Sequence, residues 1–258
     1  MERIVWQYWE TPSGKCKPPH IELCQDILRQ QLAGCRLEVV NSDTLYDLLP
    51  DIHSNIEKIT CSDQDDAPSL AIKAGIIRVL LLEKYGGLWI DSDAIVIKPL
   101  AFVFDLIEQH EFVGMRRTSS KRQHVVNNFF GSMPNATVIS EYAKEVSDFL
   151  SQRTSFFWNE VGSVSLTPIV DRHPNFAYLF PERLIHPLLP KDQPKLLSKE
   201  LSPSEVIPED AITLMLFHRI FEGKHPKAGR GFRDFSRKDI IESDTLLGKC
   251  VREIGVDL

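Results

Sequence analysis

The stretch richest in chemistry is Leu88-Trp89-Ile90-Asp91-Ser92-Asp93, an apolar run that ends on two carboxylates. In extended backbone, residues i and i+2 project to the same side. Asp91 and Asp93 therefore converge just past the carboxyl end of a strand, where open α/β sheets hold their ligands. Two like charges that close raise one pKa unless a cation lies between them, and a buried strand ending on them calls for a neutralising partner. A hard divalent ion such as Mg²⁺ or Mn²⁺ suits oxygen donors, and such ions recruit substrate phosphates to complete their shell. Asp-Ser-Asp is also ordinary turn composition, but the preceding Leu-Trp-Ile run reads as buried and favours the functional reading.

Other uses of such acids can be weighed on the residues. A calcium-binding EF-hand loop needs an acid or amide at 95 and a glycine at 96, where the chain has Ile and Val. A phosphohydrolase of the haloacid dehalogenase type, with an aspartyl nucleophile, also places Asp-x-Asp after an apolar strand. That strand is normally the first, whereas here the motif lies a third of the way along, behind a helix. A non-catalytic nucleotide-sugar-binding protein would keep the same binding residues. The last two alternatives stay open.

The elements that must position the acids follow from local signals. Asp66 as a cap and Pro68 in the first turn open a helix with apolar residues at 72, 76, 79, 80 and 82, and Gly86-Gly87 ends it in left-handed geometry. Residues 88–90 make a central strand and 94–97 resume extended structure until Pro99. Upstream, strands are expected at 4–9 and 37–40, a helix opened by Pro18-Pro19 reaches about 32, short helices flank Pro50, and 63–66 is an acidic loop. Downstream come helices over 102–109 and 135–150, strands near 111–115 and 126–131, and a last helix over 236–254. Recurrent prolines beyond 155 imply turns and short strands. Alternating strands and helices predict an α/β protein with a parallel-rich sheet.

Composition sets the outer bounds. At 258 residues the chain makes one large α/β domain, or one with a small appendage. Hydrophobic residues at 43% and charged residues at 26% exclude disordered and fibrous classes. A net charge of −6 provides no footprint for nucleic acid, and no apolar run reaches the length of a membrane span. An apolar strand that begins within five residues of Met1 leaves no room for a signal peptide, so a cytoplasmic location is expected, with peripheral contact at the inner face of the membrane. Cysteines at 16, 24, 35, 61 and 250 form no C-x-x-C pair, which argues against a disulfide framework and a zinc site.

The run from Ala71-Ile72-Lys73-Ala74-Gly75-Ile76-Ile77-Arg78 through Glu83-Lys84-Tyr85-Gly86-Gly87 into Asp91-Ser92-Asp93 resembles the DXD region of capsular polysaccharide synthesis glycosyltransferases. It is similar to the wider glycosyltransferase family 32 group, with the yeast initiating mannosyltransferase and the large clostridial glucosylating toxins. Ile4-Val5-Trp6-Gln7-Tyr8-Trp9, with Pro18-Pro19 and Cys24, looks like the start of the capsular group, and the match covers residues 1–100 best. The resemblance implies a GT-A fold with a Rossmann-like mixed, mostly parallel central sheet flanked by helices. It implies a single domain over 1–258, with 1–100 as the nucleotide-sugar half and 101–258 as the acceptor half and C-terminal lid.

Carried over residue by residue, the resemblance makes Asp93 the principal metal ligand and Asp91 the acid shared by metal, ribose and donor sugar. Arg78 reaches the donor from the preceding helix. Trp6 stacks on uracil, an interaction worth about 1–3 kcal/mol, with Gln7 and Ser92 beside it on the nucleotide side. Tyr85 is either a donor contact or a helix-end packing residue. Asn127-Asn128, after a strand, offer hydrogen bonds to hydroxyls, and Asn128 joins the catalytic set. His218 matches a late histidine drawn onto the metal or diphosphate. Lys224 and Arg230 lie in the basic segment 219–238, which is expected to close over a diphosphate. Arg116-Arg117 and Lys121-Arg122 are placed beside the acceptor or at anionic headgroups, and Glu160 in the acceptor cleft. Relatives often carry Ser-Asp where this chain has Ala74-Gly75, so the donor sugar is expected to be held differently. The implied activity is metal-dependent, retaining transfer of a hexose from a UDP-sugar to a saccharide acceptor, free or lipid-linked.

Overall fold

The computed structural model describes residues 1–11, 14–119, 121 and 123–255. In chain order the elements that frame the site are β1 (Ile4–Tyr8), α1 (Pro19–Gln30), β2 (Arg36–Val40), α2 (Leu70–Tyr85), β3 (Gly87–Ile90), β4 (Ala94–Val96), α3 (Ala101–His110), β5 (Phe112–Arg117), β6 (His124–Ser132), α4 (Thr137–Gln152), α5 (Ser165–Arg172), β7 (Ala177–Phe180), β8 (Thr213–Met215), α6 (Arg237–Glu242) and α7 (Leu246–Ile254). The chain divides into two compact units, each drawing on both sides of residue 100. The first takes Met1–Glu10, Gly34–Asp91 and Leu100–Phe180; the second takes Thr11–Ala33, Ser92–Pro99 and Pro181–Leu258.

The first unit holds a six-stranded sheet in the order β7-β5-β6-β3-β1-β2. β1 runs parallel to β2 and β3, and β7 parallel to β5, while β6 is antiparallel to both its neighbours. The expected α/β architecture with a mostly parallel sheet is the one formed. β1 and β3 are buried at every position, which explains why their sequences read as continuous apolar runs instead of alternating ones. Trp6, Trp89, Phe130, Tyr142 and the buried apolar residues of α2 share one core.

The start of α2 differs from expectation. Ser69 is the cap, its hydroxyl accepting from the Ile72 N–H at 3.4 Å, and Pro68 lies in a short strand, Ala67–Pro68, paired with Thr60–Cys61. Proline suits that role because an edge strand does not need its missing N–H. The end of the helix is as expected. Gly86 and Gly87 have φ of 67° and 107°, and a Cβ on Gly87 would lie 2.5 Å from the Ile4 carbonyl oxygen. A main-chain atom cannot yield, so the junction between α2 and β3 requires glycine.

In the second unit β4 pairs antiparallel with β8, and α1, α6 and α7 contribute to a separate apolar core. The expected helix over 236–254 is two helices, α6 and α7, because Ser236 and Thr245 each cap a fresh start. Past residue 155 the prolines open short helical turns more often than strands, as in Pro174–Phe176, Pro190–Leu197 and Pro203–Val206. Proline fits a first helical turn, whose N–H has no partner in the helix. Among the described residues, no helix is long and apolar enough to cross a membrane.

Candidate functional site

β3 delivers Asp91 at its carboxyl end in the first unit. The Asp91 N–H donates to the Asn128 carbonyl at 2.9 Å, extending the β3–β6 ladder past the strand. The Asp91 Oδ1 accepts from Trp89 Nε1 at 2.7 Å and lies 3.1 Å from Arg78 Nη1. Arg78, on α2, also donates from Nε to the Ala74 carbonyl at 3.2 Å and from Nη1 to the Asn127 carbonyl. Its Cζ sits 4.7 Å from the Trp89 ring centroid. The Arg78 side chain is 7% exposed against 30% for Asp91. A cation is thus sunk against an indole, with carbonyls and one carboxylate as partners, while the carboxylate itself stays reachable. Burial of a charge is tolerated only with such a partner set, and the planar guanidinium suits stacking and forked donation where lysine would not.

Ser92 and Asp93 belong to the second unit, and Asp93 is 9% exposed. The Asp93 carbonyl accepts from the Leu216 N–H at 3.0 Å, just past β8 in the same unit. Beyond β8 the backbone turns left-handed at Phe217 and His218. His218 Nδ1 lies 3.1 Å from Nε2 of His20, and His20 stacks on Phe221 with ring centroids 4.2 Å apart. Burial, with His218 as a second cause, holds the His20 pKa down at about 3, so the ring is neutral. Burial, helped by the Asp93 charge, pushes the Cys24 thiol well up, which leaves it unreactive as a nucleophile. Lys224 and Arg230 are exposed and pair with Glu222 and Asp234 at 3.2 and 2.6 Å. Arg237 reaches Asp26 at 2.6 Å.

Several expectations are corrected. Trp6 is 1% exposed, and its Nε1 donates to the Gly86 carbonyl at 2.8 Å. It is a core residue that stitches β1 to the α2–β3 junction and presents no face to a base. Gln7, fully buried in β1, is likewise out of reach of a nucleotide. Tyr85 takes the packing role: its hydroxyl donates to the Leu48 carbonyl at 2.8 Å and its ring lies 5.6 Å from that of Trp6. Asn127 and Asn128 lie within β6, not after a strand. Glu160 pairs with Arg153 at 2.7 Å and accepts from the Phe157 N–H at 3.0 Å, which fixes its own loop. Gly75 is buried, and a Cβ there would meet Val161 Cγ2 at 3.4 Å. Arg116 pairs with Asp171, and Arg122 lies outside the described residues.

Sequence reading missed a buried cation five residues before Arg78 on the same helix. Lys73 Nζ donates to Glu10 at 2.7 Å and to Glu57 at 2.9 Å, and the Tyr8 hydroxyl donates to Glu10. Burial alone would lower the Lys73 pKa, but hydrogen bonds to the two carboxylates outweigh it and raise it. A lysine in an apolar helix pattern was the available signal.

Among the described residues, no group of three or more His, Cys, Asp or Glu side chains stands close enough to hold a metal. The fit to a divalent cation therefore rests on donor chemistry. Asp91 and Asp93 offer two hard carboxylates two residues apart in the chain, the partial set that Mg²⁺ or Mn²⁺ accepts when phosphates supply the remainder.

No curated protein matches the chain in sequence. Among solved structures it is similar to a glycosyltransferase involved in glycosylation of the major capsid of PBCV-1, at 10% identity and a TM-score of 0.48, over 83% of this chain and 94% of that one. It is also similar to the PaToxG glycosyltransferase, at 14% identity and a TM-score of 0.45, over 67% and 69% of the two chains. A third is mouse xyloside xylosyltransferase 1 in its apo form, at 10% identity and a TM-score of 0.44, over 73% and 88%. The model of the capsular polysaccharide synthesis protein family matches residues 1–160, more than half of the 258, and the chain belongs to that family.

Proposed function

We propose that this protein is a metal-dependent, retaining glycosyltransferase that moves a hexose from a UDP-sugar to a hydroxyl of a saccharide acceptor in surface polysaccharide synthesis. What supports this most is the Arg78–Trp89–Asp91 cluster at the carboxyl end of β3 in a member of the capsular polysaccharide synthesis family. Both Trp89 and Arg78 engage Oδ1 of Asp91, which fixes the plane of the carboxylate. The buried guanidinium also sets a positive potential at the strand end, where an anionic donor would otherwise meet bare carboxylates.

Mg²⁺ or Mn²⁺ would be held by Asp91 and Asp93, with His218 as a further contact, and when bound supplies Lewis-acid stabilisation of the departing diphosphate. Ser92 sits between the two acids on the nucleotide side. Asn128, adjoining Asp91 in the β3–β6 ladder, offers its amide to a sugar hydroxyl. Lys224 and Arg230 exchange their local carboxylate partners for the diphosphate. The transferred sugar passes through an oxocarbenium-like state, and an oxygen of the departing phosphate takes the acceptor proton. Positioning then carries much of the rate.

A thermal-shift series with UDP, UDP-glucose and UDP-galactose, with and without Mn²⁺, tests this. At 100 times its dissociation constant a ligand adds about 2.7 kcal/mol, so Mn²⁺-dependent stabilisation by a UDP compound is expected. No stabilisation by any of them would sink the reading. Full transfer activity of Asp93→Asn in EDTA would remove the two acids from it.

A further inference from the structure

Phe157 and Trp158, adjacent in the first unit, are 40% and 46% exposed. Large aromatic side chains are normally mostly buried. The loop is braced. Its strand Ser155–Phe156 pairs with Thr60–Cys61, the Trp158 N–H donates to Asp63 Oδ2 at 2.9 Å, and the Phe157 N–H donates to Glu160 at 3.0 Å. Arg153, which holds Glu160, lies over the rings of Phe149 and Phe156 at 4.9 and 4.8 Å. Two aromatics displayed on a fixed backbone lose little entropy on binding.

The loop is continuous with the Asp91 cluster inside the same unit. Val161 lies against α2 at Gly75, and Gly162 lies against the Asn127 side chain. The Asn127 carbonyl takes Arg78 and the Asn128 carbonyl takes the Asp91 N–H. The surroundings are acidic: Asp63 contacts Trp158, Asp66 contacts Ser155, and Asp65 lies between them in the chain. Exposed aromatic side chains on a loop whose backbone is held by carboxylates complement a saccharide, whose C–H face packs on a ring and whose hydroxyls donate to acids. The same acids repel an anionic lipid surface.

We propose that Phe157, Trp158 and Asp63 form a platform for a neutral saccharide, the acceptor of the transfer. The proposal rests on the transferase reading for the acceptor role alone. The probe is the indole N–H signal of Trp158 in ¹⁵N-labelled full chain, whose other tryptophans are at 6, 9 and 89. Titration with lactose, maltose and N-acetyllactosamine is expected to shift the Trp158 signal saturably with at least one of them, while Trp6 and Trp89, both buried, stay still. Phe157→Ala, at an exposed site, should keep the spectrum of the folded chain and weaken that titration about tenfold, the scale of a single aromatic anchor. A Trp158 signal that no saccharide moves overturns the platform, as does one moved equally in Phe157→Ala. So does one moved only by phosphatidylglycerol vesicles. UDP with Mn²⁺ on the same sample separates the two readings. Nucleotide stabilisation without saccharide binding sinks the platform alone. Saccharide binding without any nucleotide effect sinks the transferase reading and leaves a glycan site.

Discussion

The indole N–H of Trp89 donates to Asp91 Oδ1 at 2.7 Å while the Trp89 ring lies 4.7 Å from the Arg78 guanidinium carbon. One buried tryptophan thus supports both members of the ion pair, and it does so because residues two apart on a strand share a face. Trp89→Phe keeps an aromatic ring near Arg78 but removes the donor and part of the buried indole. A hydrogen bond to a charged group contributes about 1.5–3 kcal/mol when buried, and Asp91 is partly exposed, so the lower end applies. The expected result is about a tenfold loss of Mn²⁺-dependent nucleotide affinity, together with a lower midpoint of urea unfolding, because Trp89 is in the core and the smaller ring leaves a cavity. Unchanged affinity by calorimetry would mean that the indole is only core.

The buried cation Lys73 yields a pH prediction. Glu57 is held below its usual range, first by the hydrogen bond from Lys73. A carboxylate with a lowered folded pKa stabilises the fold above its unfolded value and loses that contribution as pH falls through the lowered one. Lys73→Met removes the cation and leaves Glu10 and Glu57 facing each other. Since Glu57 is 44% exposed, the loss is discounted to about 1–2 kcal/mol near neutral pH. As pH falls below the usual carboxylate range Glu57 loses its charge and the penalty should shrink. Urea unfolding of both chains from neutral to acid pH reads the difference directly; a penalty that stays constant with pH would show that packing, not charge, is lost.

Gly75 turns a question of specificity into one of packing. With a Cβ there 3.4 Å from Val161 Cγ2, the carboxylate of Gly75→Asp is directed at a buried apolar side chain. Placing a charged group there without a partner is expected to destabilise by about 1–3 kcal/mol and to leave the ranking of donor sugars as it was. A changed donor preference in a stably folded variant would restore the sugar-reading role for this position.

What the sequence made legible was what local physics dictates. Gly86-Gly87 could be read because φ near 67° and 107° admits little else, and the apolar run of β3 because a strand covered on both faces has no polar side. The position of Asp91 at its end followed from the same reading. What stayed hidden was set by neighbours distant in the chain. Trp6 reads as a residue that stacks on a base until the Gly86 carbonyl, eighty residues on, is seen to take its N–H. Lys73 looks out of place in α2 until Glu10 and Glu57 arrive from other segments. The break between α6 and α7 was there in Thr245, whose hydroxyl accepts from Gly248, but the amphipathic pattern runs across it.

The His20–His218 pair carries the last prediction. His20 is 6% exposed, stacked on Phe221 and joined to His218 at 3.1 Å, and burial keeps its pKa at about 3. The rings that contact it are those of His218 and Phe221, and burial among them opposes a charge on His20. In the unfolded chain a histidine takes its proton near pH 6.5, about the model-peptide value. Between that pH and about 3 the unfolded state therefore binds a proton that the native state refuses. Stability rises with pH across this window, is fully present above it, and is lost as pH falls. The slope for one proton is at most about 1.4 kcal/mol per pH unit. His20→Gln removes the titrating group, so its curve of unfolding free energy against pH should be flatter than the parent's by up to that slope, whatever its offset at neutral pH. Two parallel curves would mean that His20 accepts a proton in the folded protein and that His218 does not hold it neutral.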